Sequence, residues 1–188
     1  MNGQKELYTV LEQLQIPFEY NEHPSAPTAE LAMKYCENDG ASHCKNLFFR
    51  NHKGNKHYLV IIEASKNLGI KDLEQRLKQG KLSFASEARM EKYLGLKPGS
   101  VSLFGLINDK NHEVIVFLDE NLKDAEKVSF HPNENTASLA ISSFDMKKFL
   151  DAFGNVYEFL KLYDEDVVPQ ARNYKNMQAR NERRLRKQ

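Results

Sequence analysis

The sequence predicts one α+β domain, a mixed sheet flanked by helices, with a basic C-terminal extension. Three observations carry this. Helical and strand periodicities alternate along most of the 188 residues. Two β-rich runs, Lys45–Asn51 and His57–Glu63, surround a polar turn containing Gly54, which is a hairpin signal. Val114–Leu118 is an unbroken apolar run of the kind carried by a strand buried on both faces. The length suffices for one ordinary core, no internal repeat is present, and no linker-like stretch precedes Val168. The domain is therefore expected over residues 1–168 and the tail over 169–188.

Taken in order, Leu7, Val10, Leu11 and Leu14 form a helical stripe over Lys5–Leu14, stopped by Pro17. Phe18–Tyr20 reads as a short strand, and Pro24 and Pro27 make the next segment a loop. Thr28 suits the N-cap of a helix through Tyr35, with Glu30 in its first turn. After the hairpin, Leu73 and Leu77 mark a helix over Lys71–Lys78, and Leu82–Phe84 a short strand. Ser86 is expected to cap a helix through Leu94 that closes near Gly95. Val101–Ile107 is mostly apolar and carries Gly105. Lys127–Phe130 and Ser138–Ile141 bracket the polar loop His131–Thr136. Ser143 precedes a helix over Phe144–Phe153 closed by Gly154, and a last strand is expected at Tyr157–Leu162.

Hydrophobic residues make up 40% and charged residues 28%, as in ordinary globular domains. No apolar run approaches the length of a membrane span, and Met1–Glu6 lacks the apolar stretch of a signal peptide. Cys36 and Cys44 match no C-x-x-C spacing, so structural thiols in a reducing, cytoplasmic setting are expected. Charge is uneven. The last nineteen residues carry Arg172, Lys175, Arg180, Arg183, Arg184, Arg186 and Lys187 against Glu182 alone, a net of +6, while the preceding chain sums to −5. A basic tail of this kind fits a polyanionic partner, or simply a solvated chain end.

No G-x-S-x-G, Walker or G-x-G-x-x-G motif is present. His52 and His57 lie about a polar turn without partner ligands at metal spacing, so surface histidines are expected and no metal site. Cys44 beside Lys45 is better read as a core cysteine than as an activated thiol, since neighbours on a strand point to opposite faces. Three polar segments remain: Lys45-Asn46, Gly99-Ser100-Val101-Ser102, and His131 to Thr136. A Gly-Ser turn offers backbone N–H groups to a carbonyl or oxyanion, a lysine offers a point charge to a phosphate or ester, and a histidine titrates near neutrality. Lys45 has a plain alternative, a strand-entry lysine reaching solvent.

The ordered segments Cys44–Arg50, His57–Val60, Leu82–Glu87, Leu94–Ser102, Phe104–Asp109 and Phe130–Ser138 together resemble the YbaK/prolyl-tRNA-synthetase-associated domain family. The resemblance spans about Lys5 to Leu162. It implies an α+β fold with a mixed, mostly antiparallel sheet flanked by helices. It also implies a trans-acting deacylase that hydrolyses wrongly aminoacylated tRNA, with no metal or organic cofactor. The F-H-P-x-x-N-T-x-S segment resembles the subfamily that clears alanine from tRNA(Pro). The cysteine-clearing subfamily and a non-catalytic module binding tRNA or synthetase are the alternatives. Carried over by position, Lys45, Asn46 and Gly99 take catalytic roles, and Tyr20, Ser100, Val101, Ser102 and His131 line the substrate pocket. Arg180, Arg183, Arg184, Arg186 and Lys187 are expected to meet RNA. The implied partners are aminoacylated tRNA(Pro) and prolyl-tRNA synthetase, with neither DNA nor membrane. One position departs: the family's G-x-x-x-P loop has Leu103 in place of its proline, which predicts a looser loop.

Overall fold

The computed structural model describes residues 1–36 and 39–163. The basic tail and the expected boundary at Val168 lie outside the described residues. The elements are α1 (Lys5–Gln13), β1 (Glu19–Glu22), α2 (Ala29–Tyr35), β2 (Ser42–Asn51), β3 (His57–Glu63), α3 (Ile70–Leu77), β4 (Leu82–Phe84), α4 (Glu87–Leu94), β5 (Val114–Asp119), β6 (Lys127–Phe130), β7 (Ala137–Ser142), α5 (Ser143–Phe153) and β8 (Tyr157–Leu160). Short 3-10 helices occupy Leu103–Asn108 and Glu120–Lys123. Among the described residues no helix is long and apolar enough to cross a membrane.

The strands form one mixed sheet in the order β1-β7-β6-β2-β3-β5-β8, with β4 paired to β2 off this path. Four pairings are antiparallel (β1–β7, β2–β3, β2–β4, β6–β7) and three parallel (β2–β6, β3–β5, β5–β8). Strand β3 is central and buried on both sides. Leu59 and Ile61 enter the larger core with α1, α4 and α5, whereas Tyr58, Val60 and Ile62 enter a smaller core with Leu73 and Leu77 of α3. That two-faced burial is why β3 and β5 read as continuous rather than alternating apolar runs.

Strand β2 does something different, and the site depends on it. One edge is paired with β3 from Cys44 to Arg50. On the opposite edge β6 takes only Ser42 and His43, and β4 takes only Phe49 to Asn51. The sheet forks there, leaving a gap along Cys44–Leu47. Alternation sends Cys44 and Phe48 into the larger core, while Leu47 and Phe49 pack with the smaller one. The gap therefore presents side chains from both faces of one strand.

Local chemistry explains most boundaries. Thr28 caps α2, its hydroxyl accepting from the Leu31 amide at 3.3 Å. Ser86 holds the N-cap position of α4, but its hydroxyl accepts no capping bond. Helix α5 begins one residue earlier than expected because Ser142 caps it, accepting from the Asp145 amide at 3.0 Å. The apolar run after Gly99 folds as a 3-10 helix rather than a strand, since Ser102 caps it through the Phe104 amide at 3.2 Å. Gly105 lets that helix seat on the end of α4 and the segment after it, for a Cβ there would lie 3.2 Å from Leu94 Cβ and 2.7 Å from Leu96 Cδ1.

Candidate active site

The fork opens into a cavity of about 180 Å³ whose wall includes Lys45, Asn46, Gly99, Val101 and His131. Three segments remote in sequence therefore meet in one place. Pro27, from the loop before α2, packs between them: Gly99 has φ +84°, and a Cβ there would sit 3.1 Å from Pro27 Cβ and 3.4 Å from Asn135 Nδ2. The Asn135 carbonyl in turn accepts the Ala26 amide at 2.7 Å.

Lys45 does not reach bulk solvent. It is 6% exposed. Its ammonium donates to Glu30 Oε1 at 2.7 Å, to the Lys66 carbonyl at 3.0 Å and to Asn67 Oδ1 at 3.0 Å. Two of these oxygens come from the connection beyond β3, and the third from Glu30, 55% exposed on α2 and itself part of the cavity wall. Burial by itself raises the Glu30 carboxyl pKa. The hydrogen bond from Lys45, the Glu30 backbone amide and the charge of Lys45 outweigh burial and bring it below its ordinary value. Glu30 is therefore ionised at neutral pH.

Asn46 turns towards the other face. Its Nδ2 donates to the Cys44 carbonyl at 3.3 Å, and its Oδ1 accepts the Leu103 amide at 3.1 Å. The bond to Leu103 ties the Gly99–Ser102 loop across the gap. Leucine at 103 thus gives the loop an anchor that proline, lacking an N–H, cannot form, and the loop is held rather than loosened. Within it, the Ser100 amide is spent on the Lys97 carbonyl at 3.0 Å. Ser102 is wholly buried, and its hydroxyl donates to the His131 carbonyl at 2.7 Å. Ser102 thus joins two of the three polar segments from behind the wall.

His131 donates from Nδ1 to the Ala137 carbonyl at 2.9 Å and lies tilted against His23, ring centroids 5.9 Å apart. Burial pushes its pKa down. The Ala137 carbonyl opposes that shift, and the neighbouring His23 adds to it. The imidazole is neutral at pH 7. His23 bridges the Pro24 carbonyl and Ser138 Oγ, at 2.8 and 3.0 Å, and stacks on Tyr35 of α2. Cys44 lines the cavity as a core thiol. Burial raises its pKa strongly and the charge of Glu63 adds to this, the opposite of activation.

Tyr20, Ser100 and Ser102 do not line this cavity. Tyr20 stands on β1, its hydroxyl accepting the Asn2 amide at 2.7 Å and donating to Glu22 at 3.1 Å. Arg180, Arg183, Arg184, Arg186 and Lys187 lie outside the described residues. No group of three or more His, Cys, Asp or Glu able to hold a metal occurs among the described residues. His57 is not the surface histidine its turn suggested. It is 1% exposed, stacks on Tyr93 with centroids 3.8 Å apart, and its Nε2 meets Arg89 at 2.6 Å. Sequence reasoning treated Glu30 only as a first-turn acid and did not single out Asn67. No local pattern marks either, because both meet Lys45 through tertiary packing.

The family model of the aminoacyl-tRNA editing domain matches residues 23–149. A relative named prolyl-tRNA editing protein ProX, from Acetoanaerobium sticklandii, is 37% identical over 162 residues, covering 86% of this chain and 99% of its own. A prolyl-tRNA synthetase associated domain-containing protein 1 from Bos taurus is 32% identical, covering 80% of this chain and 92% of its own. Among solved structures, one described as a candidate trans-editing enzyme for prolyl tRNA synthetase superposes with TM-score 0.62 at 20% identity, covering 85% of this chain and 99% of that one. The hypothetical protein APE2540 superposes with TM-score 0.64 at 17% identity, covering 83% and 99%. At those identities the structural likenesses establish the fold.

Proposed function

This chain belongs to the aminoacyl-tRNA editing domain family of YbaK type, and on that premise we propose that it is a trans-acting deacylase that hydrolyses mischarged tRNA(Pro), with alanyl-tRNA(Pro) as its substrate. The observation that carries this reading is the convergence of Lys45, Asn46, Gly99 and His131 on one cavity in the forked sheet. The names of the relatives support the editing of prolyl-tRNA synthetase products, and the F-H-P-x-x-N-T-x-S segment supports alanine. The partners of this reading are the aminoacylated 3′ end of tRNA(Pro) and, for delivery, prolyl-tRNA synthetase.

In the reaction, water adds to the ester carbonyl carbon, the bond from that carbon to the ribose oxygen breaks, and the proton lost by water goes to the departing oxygen. No side chain in the wall pairs a nucleophile with a base, so a positioned water is the nucleophile and a ribose hydroxyl of the substrate assists it. Lys45 supplies positive charge to the ester or terminal phosphate. The loop of Gly99 and Val101, which lines the cavity, supplies the amide donors for the developing oxyanion in this reading. Asn46 holds their loop in place, and neutral His131 orients substrate and water. In this reading specificity comes from size, a pocket that takes the alanyl side chain and rejects the prolyl ring, which is the easier direction of discrimination.

The test is hydrolysis of Ala-, Cys- and Pro-tRNA(Pro) by the full chain, with Lys45→Ala beside it. Turnover of the alanyl ester alone, lost in the variant, is expected. Preference for the cysteinyl ester moves the specificity to the related subfamily. Binding of tRNA without hydrolysis of any ester replaces the enzyme by a binding module.

A further inference from the structure

The cavity wall contains one carboxylate, that of Glu30. An aminoacyl ester carries a cationic α-ammonium two bonds from the carbonyl carbon that reacts. We propose that Glu30 is the receptor for this ammonium group and restricts the site to esters of free amino acids. The proposal rests on the editing reading above and adds to it the group that tells an aminoacyl ester from any other ester.

The argument starts from Lys45. Its ammonium has three N–H donors, and among the described residues three acceptors meet it: Glu30 Oε1, the Lys66 carbonyl and Asn67 Oδ1. The last two belong to the connection between β3 and α3. Glu30 is the partner that is more than half exposed and lines the cavity, which Lys66 and Asn67 do not. A substrate oxygen that engages Lys45 does so by taking the place of Glu30. The displaced carboxylate would then be left against a partly desolvated wall without a cation, an unfavourable state. The substrate's own ammonium repairs it. The carbonyl oxygen goes to Lys45 and the ammonium to Glu30, so each charge of the pair keeps a partner: an ion–dipole contact at Lys45 and a new ion pair at Glu30. Glu30 lies 2.7 Å from Lys45 Nζ, and the two substrate groups are separated by a comparable span. The pair is thus pre-spaced for both ends of an aminoacyl ester.

An ester whose amine is replaced or blocked forfeits the ion pair with Glu30. A lactyl ester, with a hydroxyl where alanine has its ammonium, is the closest isostere. The experiment measures kcat/KM for alanyl-tRNA(Pro) and lactyl-tRNA(Pro), each divided by its uncatalysed rate, with the full-length wild type, Glu30→Gln and Glu30→Asp. The wild type is expected to favour the alanyl ester by about tenfold to a hundredfold, the range of a hydrogen bond to a charged group. Glu30→Gln is expected to bring that preference close to one, lowering alanyl hydrolysis relative to lactyl hydrolysis, and Glu30→Asp to keep part of it. Wild-type activity on the alanyl ester should also fall as pH rises through the ammonium's titration, and Glu30→Gln should lack that limb. An unchanged preference in Glu30→Gln, or a wild type that hydrolyses both esters alike, overturns the role of Glu30 and leaves the editing reading standing. A wild type that hydrolyses no aminoacyl ester removes both.

Discussion

The Oδ1 atom of Asn46 accepts the amide of Leu103 at 3.1 Å, and this bond spans the one stretch of β2 that the sheet leaves unpaired. It converts a departure from the family's loop pattern into a fastening. Leu103 is the first residue of a 3-10 helix, and Ser102 before it is extended with φ −147° and ψ 154°. Proline is sterically acceptable after such a residue, so the backbone would admit Leu103→Pro and lose the N–H.

That makes a double-mutant cycle informative. Asn46→Ala leaves the Leu103 amide without its acceptor and should cost about 1–3 kcal/mol in denaturant unfolding. Leu103→Pro loses the same bond and some buried packing. If the two act through one bond, Asn46→Ala should cost at least about 0.5 kcal/mol less in the Leu103→Pro background. Additive costs would show that the bond contributes nothing. Deacylation should fall in all three variants, because each frees the loop carrying Gly99.

Gly99 tests the same loop from its other end. At φ +84° a side chain is strained, and its Cβ would press on Pro27 at 3.1 Å. Gly99→Ala should destabilise by about 1–2 kcal/mol and lower kcat more than that loss of folded protein explains, since the loop and the Pro27 segment move apart together. Wild-type kcat in a variant that unfolds at the expected lower denaturant concentration would separate this loop from catalysis.

How far the sequence revealed this arrangement depends on what kind of information each part needs. Helices α1, α2 and α5 and the β2–β3 hairpin follow from periodicity, caps and turn residues, all of them local. The 3-10 helix after Gly99 did not, because the mostly apolar run Val101–Ile107 reads equally as a strand until Ser102 is seen to cap it. The fork in the sheet is set by where β6 and β4 stop pairing with β2, a non-local fact with no signature in β2 itself. Lys45, Asn46, Gly99 and His131 were legible as a group through motif order. Glu30 was not, since an acid in a helix's first turn is ordinary and only the fold brings it to Lys45. His57 misled for the converse reason: a polar turn beside it suggested solvent, while Tyr93 and Arg89 of α4 cover it.

The basic tail is a proposal of its own. Seven bases against one acid after Pro169 should supply sequence-independent phosphate contacts. Truncation after Pro169 is expected to weaken tRNA binding and to flatten the dependence of log K on log salt, by about 0.7–0.9 for each phosphate that the tail neutralises. Deacylation at saturating tRNA should be unchanged, because the described residues that line the cavity all lie before the cut. Equal salt slopes for the two proteins would remove the tail from RNA binding.

Acid stability should bear the mark of His57. Its ring lies between Phe48 and Tyr93, and Nε2 accepts from Arg89, whose guanidinium also donates to the Gly54 carbonyl at 2.8 Å. Burial lowers its pKa from 6.5 to about 4, the positive charge of Arg89 adds to this with smaller help from Lys92 and Arg50, and Glu113 opposes it. In the unfolded chain the imidazole takes its proton near the ordinary value, while in the folded chain it resists until about pH 4. Between those limits the unfolded state holds more protons, so stability rises with pH and is lost on acidification. His57 can contribute at most about 1.4 kcal/mol per pH unit to that slope. His131, also depressed by burial, adds in the same sense. His57→Gln keeps an acceptor for Arg89 but no titrating proton. It should be less stable than wild type at pH 7.5, with the gap narrowing steadily as pH falls from 6.5 towards 4. Unfolding free energies from denaturant titrations across that range measure the gap. Parallel curves for the two proteins would mean that His57 carries its proton equally in both states, against the geometry that surrounds it.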